Sequence, residues 1–268
     1  MESTPLFIIG APRSGTTFLC TVLNQHPLIQ ITNENRVFVL LKDMLEVGAR
    51  RPDFLAPENR GHFQAYGRRT LGDWVEGFYR EGLGMTAPIW GDKHPPYADP
   101  TVLSGRTGST PYMPRSGSCL RLIRELLPKA RFIHIHRDPG EVAASLVRKA
   151  WIDSIEDGMR VWGEYVSEIL EFLYEIPENS YLALPYDGLI GSIDHTVDNI
   201  GRFLALDDTT PIREFLSAQH HTPTPVSDPA ADFADRYRQR LSTPTRPYDR
   251  RLLALAGNAA ATLGYAAA

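Results

Sequence analysis

The sequence predicts an α/β fold, a three-layer sandwich with a mostly parallel central sheet and helical insertions. Three observations carry this expectation. Short apolar runs alternate with segments of helical periodicity along most of the 268 residues, a pattern that calls for parallel strands covered on both faces. The first apolar run, Pro5-Leu6-Phe7-Ile8-Ile9, passes directly into Gly10-Ala11-Pro12-Arg13-Ser14-Gly15-Thr16-Thr17 and then a helix. A later run, Ala130 to His136, passes into Arg137-Asp138-Pro139 and another helix. With 43% hydrophobic and 22% charged residues the chain has the composition of one ordinary globule. A single domain over residues 1–268 is therefore expected.

In chain order, Leu6 to Ile9 reads as a short buried strand, and Thr16 to Gln25 as a helix with Phe18, Leu19, Val22 and Leu23 on one face. A second strand falls near Ile29 to Thr32. Residues 37–90 form a helical insertion rich in aromatics (Phe54, Phe63, Tyr66, Trp74, Phe78, Tyr79), closed by a strand-like Ile89-Trp90-Gly91. The stretch 101–118 is dense in Gly, Ser, Thr and Pro and predicts a mobile loop. Cys119 to Leu127 is helical, and Ala130 to His136 is a strand. A helix over about Gly140 to Lys149 follows, with Pro139 suited to a first turn. A long helix covers about Glu156 to Glu175. Tyr181 to Leu189 reads as strand then turn, and Asp194 to Leu206 as an amphipathic helix. The tail from about Thr222 to Pro247 is proline-rich and irregular, and a last helix lies near Asp249 to Leu263.

The chemistry centres on the loop after the first strand. Its G-x-x-x-x-G spacing is that of a phosphate-binding loop, but Thr16 stands where such loops carry Lys, and a cation, Arg13, lies inside the loop instead. A tight turn into a helix leaves several backbone N–H groups converging on one point, reinforced by the helix dipole. Ser14, Thr16 and Thr17 add hydroxyl donors, and Arg13 adds a guanidinium that can fork onto phosphate or sulfate oxygens. A plain Gly/Pro/Ser connection is the alternative, but the strand, the full spacing, the paired threonines and the helix together favour an anion site. Arg137 lies at a strand's C-terminal end, where open α/β sheets place ligand groups. Ser145, eight positions on, could reach the same phosphate.

Pro12-Arg13-Ser14-Gly15-Thr16-Thr17 resembles the 5′-phosphosulfate loop of the sulfotransferases that use 3′-phosphoadenosine-5′-phosphosulfate (PAPS). Those enzymes carry Lys or Arg at the position of Arg13, then Ser/Thr-Gly-Thr-Thr. The resemblance implies a fold related to the P-loop NTPases, PAPS as co-substrate and no catalytic metal. The segment with Arg137 and Ser145 resembles the family's 3′-phosphate element, which implies that these two residues hold the 3′-phosphate. Tyr181 to Leu189 is loosely similar to a family strand with a Tyr-Glu-Asp-Leu-like ending. That would set Tyr186 near the adenine, with Asp187 as the central acid and Gly188 replacing the second. On the same footing Gly15 and the Ser14, Thr16 and Thr17 hydroxyls belong to the donor site. The matches cover about Pro5–Phe38, Ala130–Lys149 and Tyr181–Leu206.

Transfer to an alcohol needs a base for the acceptor's proton and cations for the charge on the sulfuryl oxygens and leaving phosphate. Two candidate bases stand out. Glu34 lies just past the second strand, on the sheet edge that carries the phosphate loop, and several sulfotransferases have a catalytic Glu in this neighbourhood. His94, in Gly91-Asp92-Lys93-His94-Pro95, falls in a segment resembling the family's Glu-Lys-Thr-Pro, at the threonine position. Glu34 is preferred. Lys93 is the candidate second cation beside Arg13. His134 and His136 share a strand face and read as structural, and no zinc-like Cys/His spacing exists. Cys20 and Cys119 form no disulfide framework.

The net charge of −4 implies no polyanion-binding surface, so no nucleic acid partner is expected. No leader and no run of 18 apolar residues is read, which predicts a cytoplasmic enzyme with no membrane span. The Ala- and Arg-rich C-terminus points to a bacterial source. The expected acceptor is a small-molecule, lipid or glycan alcohol, free or carrier-bound, with residues 37–90 and 101–118 shaping its pocket; its identity and the oligomeric state are not legible. Two alternatives compete: a P-loop kinase or nucleotide hydrolase, opposed by the missing lysine and by the lack of an apolar strand ending in a magnesium-binding Asp, and a non-catalytic nucleotide-binding module.

Overall fold

The computed structural model describes residues 2–48, 56–103, 117–221 and 250–265. Phe54, most of the 101–118 stretch and the proline-rich tail from Thr222 to Pro247 lie outside the described residues. The centre is a five-stranded sheet, all of it parallel, built from β1 (Thr4–Ile9), β2 (Ile29–Asn33), β3 (Ile89–Lys93), β4 (Arg131–His136) and β5 (Tyr181–Pro185) in the order β2-β3-β1-β4-β5. The predicted α/β sandwich is the observed architecture. Its strands are longer than the sequence indicated at one important place: β3 runs on through Asp92 and Lys93.

The alternation of β1 explains the layering. Leu6 and Ile8 enter one core, with α1 (Thr16–Leu23), α8 (Ile193–Leu204) and α9 (Thr210–His221); Phe7 and Ile9 enter the other. The second core is covered by α2 (Val37–Lys42), α3 (Pro57–Gly77), α4 (Leu120–Leu126), α5 (Pro139–Arg148) and α6 (Ile155–Glu175), with α10 (Arg250–Leu255) and α11 (Gly257–Thr262) packed on α6. The short α7 (Gly188–Gly191) follows β5. Leu6 to Ile9 are essentially inaccessible, and each such side chain contributes roughly 1.5–3 kcal/mol of burial. β1 is thus a deeply buried strand and the carrier of the phosphate-type loop.

The helices begin where their sequences allow. In α5, Asp138 accepts a hydrogen bond from the Glu141 N–H at 2.9 Å, Pro139 fills the first turn and Arg148 lies in the last. In α6, Ser154 caps the Asp157 N–H and the first turn carries Glu156 and Asp157. The region expected to be helical between Val37 and Gly82 is helical in its described part, but π-type turns at Asp43–Gly48 and Phe78–Gly82 extend α2 and α3. Such one-residue excesses leave no mark on hydrophobic periodicity. Both cysteines are buried thiols, as expected, and burial pushes them up to about 11 (Cys20) and about 12 (Cys119).

Strand order positions the site. From β1 the chain moves to one side, to β2 and back to β3, while β4 and β5 lie on the other. The helix after β1 packs on one face and the helix after β4 on the opposite face. The connections leaving the C-terminal ends of β1 and β4 therefore part and leave a crevice, the place where open α/β sheets bind ligands.

Candidate active site

The loop after β1 turns tightly, the Ser14 N–H bonding the Ala11 carbonyl at 3.1 Å and the Leu19 N–H that of Gly15 at 3.0 Å. Gly15 adopts φ 97°, and a Cβ there would lie 2.3 Å from the Tyr186 ring, so the position excludes any side chain. Arg13 is itself left-handed at φ 72°, which costs an ordinary residue energy. Ser14 is fully buried, and its Oγ has no hydrogen-bond partner among the described residues.

The two arginines singled out in the sequence line one cavity. Arg13, Gly15, Thr16, Thr17, Phe18, Arg137 and Tyr186 enclose about 190 Å³. Arg13 Nε donates to Ser145 Oγ at 3.1 Å, which ties the loop after β1 to α5 across 132 residues of sequence. Arg137 is buried, its guanidinium lying 4.4 Å from the centre of the Tyr186 ring. Its Nε and Nη2 reach one oxygen of Glu141 at 2.7 and 2.5 Å. Tyr186 is anchored by its own N–H to the His136 carbonyl at 2.7 Å, so one aromatic ring fills the space between Gly15 and Arg137. Asp138, largely buried beside Glu141 and Asp187, is pushed up to about 6, chiefly by desolvation.

A second group adjoins the cavity through Thr17. Register pairs Lys93 with Ile8, and its fully buried side chain runs along the α1 face of the sheet. There Nζ donates to Thr17 Oγ1 at 3.0 Å and to Glu34 Oε1 at 2.8 Å. Glu34, also left-handed at φ 67°, has a side chain 37% exposed, so its free carboxylate edge faces solvent. Burial pushes its pKa up, but the hydrogen bond and charge of Lys93, with smaller effects from His94 and Arg36, outweigh this and hold it below the usual carboxylate value. His94 is buried, packs edge-on against Tyr97 at 4.8 Å and leads into the turn Pro95–Ala98. It is near Glu34 but does not line the arginine cavity.

The structure thus joins Arg13, Gly15, Thr16, Thr17, Arg137 and Tyr186 at one cavity, brings Ser145 to its wall, and attaches Lys93 and Glu34 through Thr17. Ser14 lies beneath, and His94 stands one layer back. Asp92 is the penultimate residue of β3 and precedes Lys93. Its carboxylate faces away from Thr17, bonded to Thr32 and Tyr97. That network, with Asn35 and Glu141, is what the sequence did not reveal; only the i,i+4 spacing of Arg137 and Glu141 offered a signal. His134 and His136 are, as expected, embedded in the strand. Desolvation lowers them to about 3 and about 4, and His136 Nδ1 meets the Tyr265 hydroxyl at 2.9 Å. Among the described residues, no cluster of metal-ligating side chains and no helix long and apolar enough to cross a membrane is present.

A sequence profile described as the sulfotransferase family matches residues 5–211. Two solved structures share the fold. One is the sulfotransferase domain from the curacin biosynthetic pathway (TM-score 0.62, 18% identity, 98% of each chain covered). The other is the sulfotransferase domain from the olefin synthase of Synechococcus PCC 7002 (TM-score 0.61, 18% identity, 100% of this chain and 96% of that one). No curated protein matches.

Proposed function

Because the chain belongs to the sulfotransferase family, we propose that it moves a sulfuryl group from PAPS to the hydroxyl of an acceptor and releases adenosine 3′,5′-bisphosphate. The observation that carries this reading is the shared cavity of Arg13 and Arg137, with Arg13 bonded to Ser145. A ligand with anionic groups at two ends meets a guanidinium at each, whereas a nucleoside triphosphate would leave Arg137 without a counterpart. The unpartnered Ser14 hydroxyl and the tight turn of the loop after β1 fit an anion cradle.

The roles follow from the contacts. The loop N–H groups, Ser14, Thr16, Thr17 and Arg13 receive the 5′-phosphosulfate. Arg137 and Ser145 receive the 3′-phosphate, and the Tyr186 ring borders the adenine. Glu34 takes the acceptor's proton as the acceptor oxygen bonds to sulfur and the sulfur–phosphate oxygen bond breaks. Held ionised by Lys93, it is ready as a base at neutral pH. Lys93, already against Thr17, supplies positive charge where the leaving phosphate gains negative charge. Glu34, with its side chain 37% exposed, is open to an acceptor, whereas His94 is buried, which favours Glu34 as the base. The acceptor is an alcohol of a small molecule, lipid or glycan.

The test is transfer of ³⁵S from labelled PAPS to a panel of free and carrier-bound alcohols, with and without EDTA. Labelling that survives EDTA and drops at least ~100-fold in Arg13→Ala is the expected result. Magnesium-dependent ATP consumption, or no binding of adenosine 3′,5′-bisphosphate, would refute it.

A further inference from the structure

Asp92 is completely buried and lies one residue before the cation of the site. Neighbouring strand residues point to opposite faces, so its carboxylate opens into the core beneath α2, away from Thr17. There it accepts the Thr32 hydroxyl at 2.7 Å, the Tyr97 hydroxyl at 2.8 Å and the Asn35 N–H at 3.3 Å. Asn35 is tied at its other end as well, Nδ2 to Thr32 Oγ1 at 3.0 Å and Oδ1 to the Val37 N–H at 3.0 Å.

The residues on either side of Asn35 are Glu34 and Arg36, and both have φ 67°. Two left-handed residues other than glycine, one on each side of Asn35, persist only where the surroundings over-determine them. What determines this pair is the bonded set of Asp92, Thr32, Tyr97 and Asn35, together with the Glu34 N–H on the Lys93 carbonyl at 2.8 Å. The geometry of the turn in turn sets the Glu34 carboxylate 2.8 Å from Lys93 Nζ.

We propose that Asp92 is a positioning residue for the reaction: through Asn35 it locks the left-handed turn that presents Glu34 to Lys93 and to the acceptor. The inference rests on the role given to Glu34 above. Asp92 touches none of the residues that line the arginine cavity through any of these bonds, so its influence reaches the base and not the donor.

The experiment compares wild type, Asp92→Ala and Asp92→Asn, with Tyr97→Phe as a milder variant should Asp92→Ala fail to fold. The first readout is the titration midpoint of the ¹³C-labelled Glu34 carboxyl, assigned by its loss in Glu34→Gln. The groups that set this midpoint are Lys93, His94 and Arg36. A loosened turn weakens the Lys93 contact, so the midpoint rises toward the ordinary ~4.3. The second readout is kcat against the Kd of adenosine 3′,5′-bisphosphate: kcat falls at least ~10-fold, a part of what a general base contributes, while Kd changes less than ~2-fold. Asp92→Asn, which keeps one acceptor oxygen, returns both most of the way, and Tyr97→Phe shifts both in the same direction by less. A folded Asp92→Ala, or failing that Tyr97→Phe, with the wild-type midpoint overturns the proposal. So does a loss in which kcat and nucleotide affinity fall together. If wild type transfers no label at all, the titration still decides the role of Asp92, and only the proposed reaction falls.

Discussion

Replacing Arg137 with Ala is expected to weaken adenosine 3′,5′-bisphosphate about 30- to 150-fold and to leave adenosine 5′-phosphate within about 3-fold. Charge-assisted hydrogen bonds contribute roughly 1.5–3 kcal/mol each, and a guanidinium can offer two to one phosphate. The side chain is only 9% exposed, so solvent screens it little. Against this, a ligand phosphate must share the guanidinium with Glu141, which already takes Nε and Nη2. Surrender of part of that contact brings the net to about 2–3 kcal/mol, and 1.36 kcal/mol is tenfold. Adenosine 5′-phosphate lacks the 3′ group and provides the internal control. Calorimetric titration of both nucleotides into both proteins gives the four affinities. Equal weakening of the two nucleotides would show that Arg137 acts on the cavity's shape through Tyr186, on which it packs at 4.4 Å, and would refute its assignment to the 3′ end.

Gly15→Ala is expected to lower the affinity for adenosine 3′,5′-bisphosphate at least ~10-fold and the Tm by several degrees. The new methyl would lie 2.3 Å from the Tyr186 ring at a φ of 97°, a backbone state costing roughly 1–2 kcal/mol for a residue with a Cβ; an unchanged Kd would count against the cradle. Acid stability is the other test. His134 and His136 sit at about 3 and about 4 when folded, against 6.5 ordinarily, so below about pH 6.5 the unfolded chain binds protons that the folded chain refuses. Stability is whole above that pH and is lost as pH falls toward about 3. Urea unfolding of His134→Leu at pH 7 and pH 4.5 should show a smaller loss than wild type, and an equal loss would contradict neutral burial of His134.

The parts of the site that were legible in the sequence are those written within one strand–turn–helix unit. Gly10 to Thr17 and Arg137 to Ser145 each follow an apolar run, and the glycine spacing and the helix signals are local. Their meeting is not local: Arg13 reaches Ser145 only because β1 and β4 are neighbours in the sheet. The placement of Lys93 depends on a register, Ile8 opposite Lys93, that no window of sequence contains. Asp92 was invisible for the same reason. Its partners come from β2, the turn after it and the turn after β3, and a lone buried acid leaves no periodic trace. Tyr186, read only loosely, gains its importance from the missing side chain of Gly15, a contact across 171 positions.

The strand order has an evolutionary consequence. The two arginines of the cavity follow β1 and β4, while Glu34 follows β2 and Lys93 ends β3, on the other flank of β1. The hydrogen bond from Lys93 to Thr17 links the two groups side chain to side chain. On the roles proposed above, a lineage can rework the β2–α2 turn and the helices after it while the arginine cavity between β1 and β4 keeps its lining.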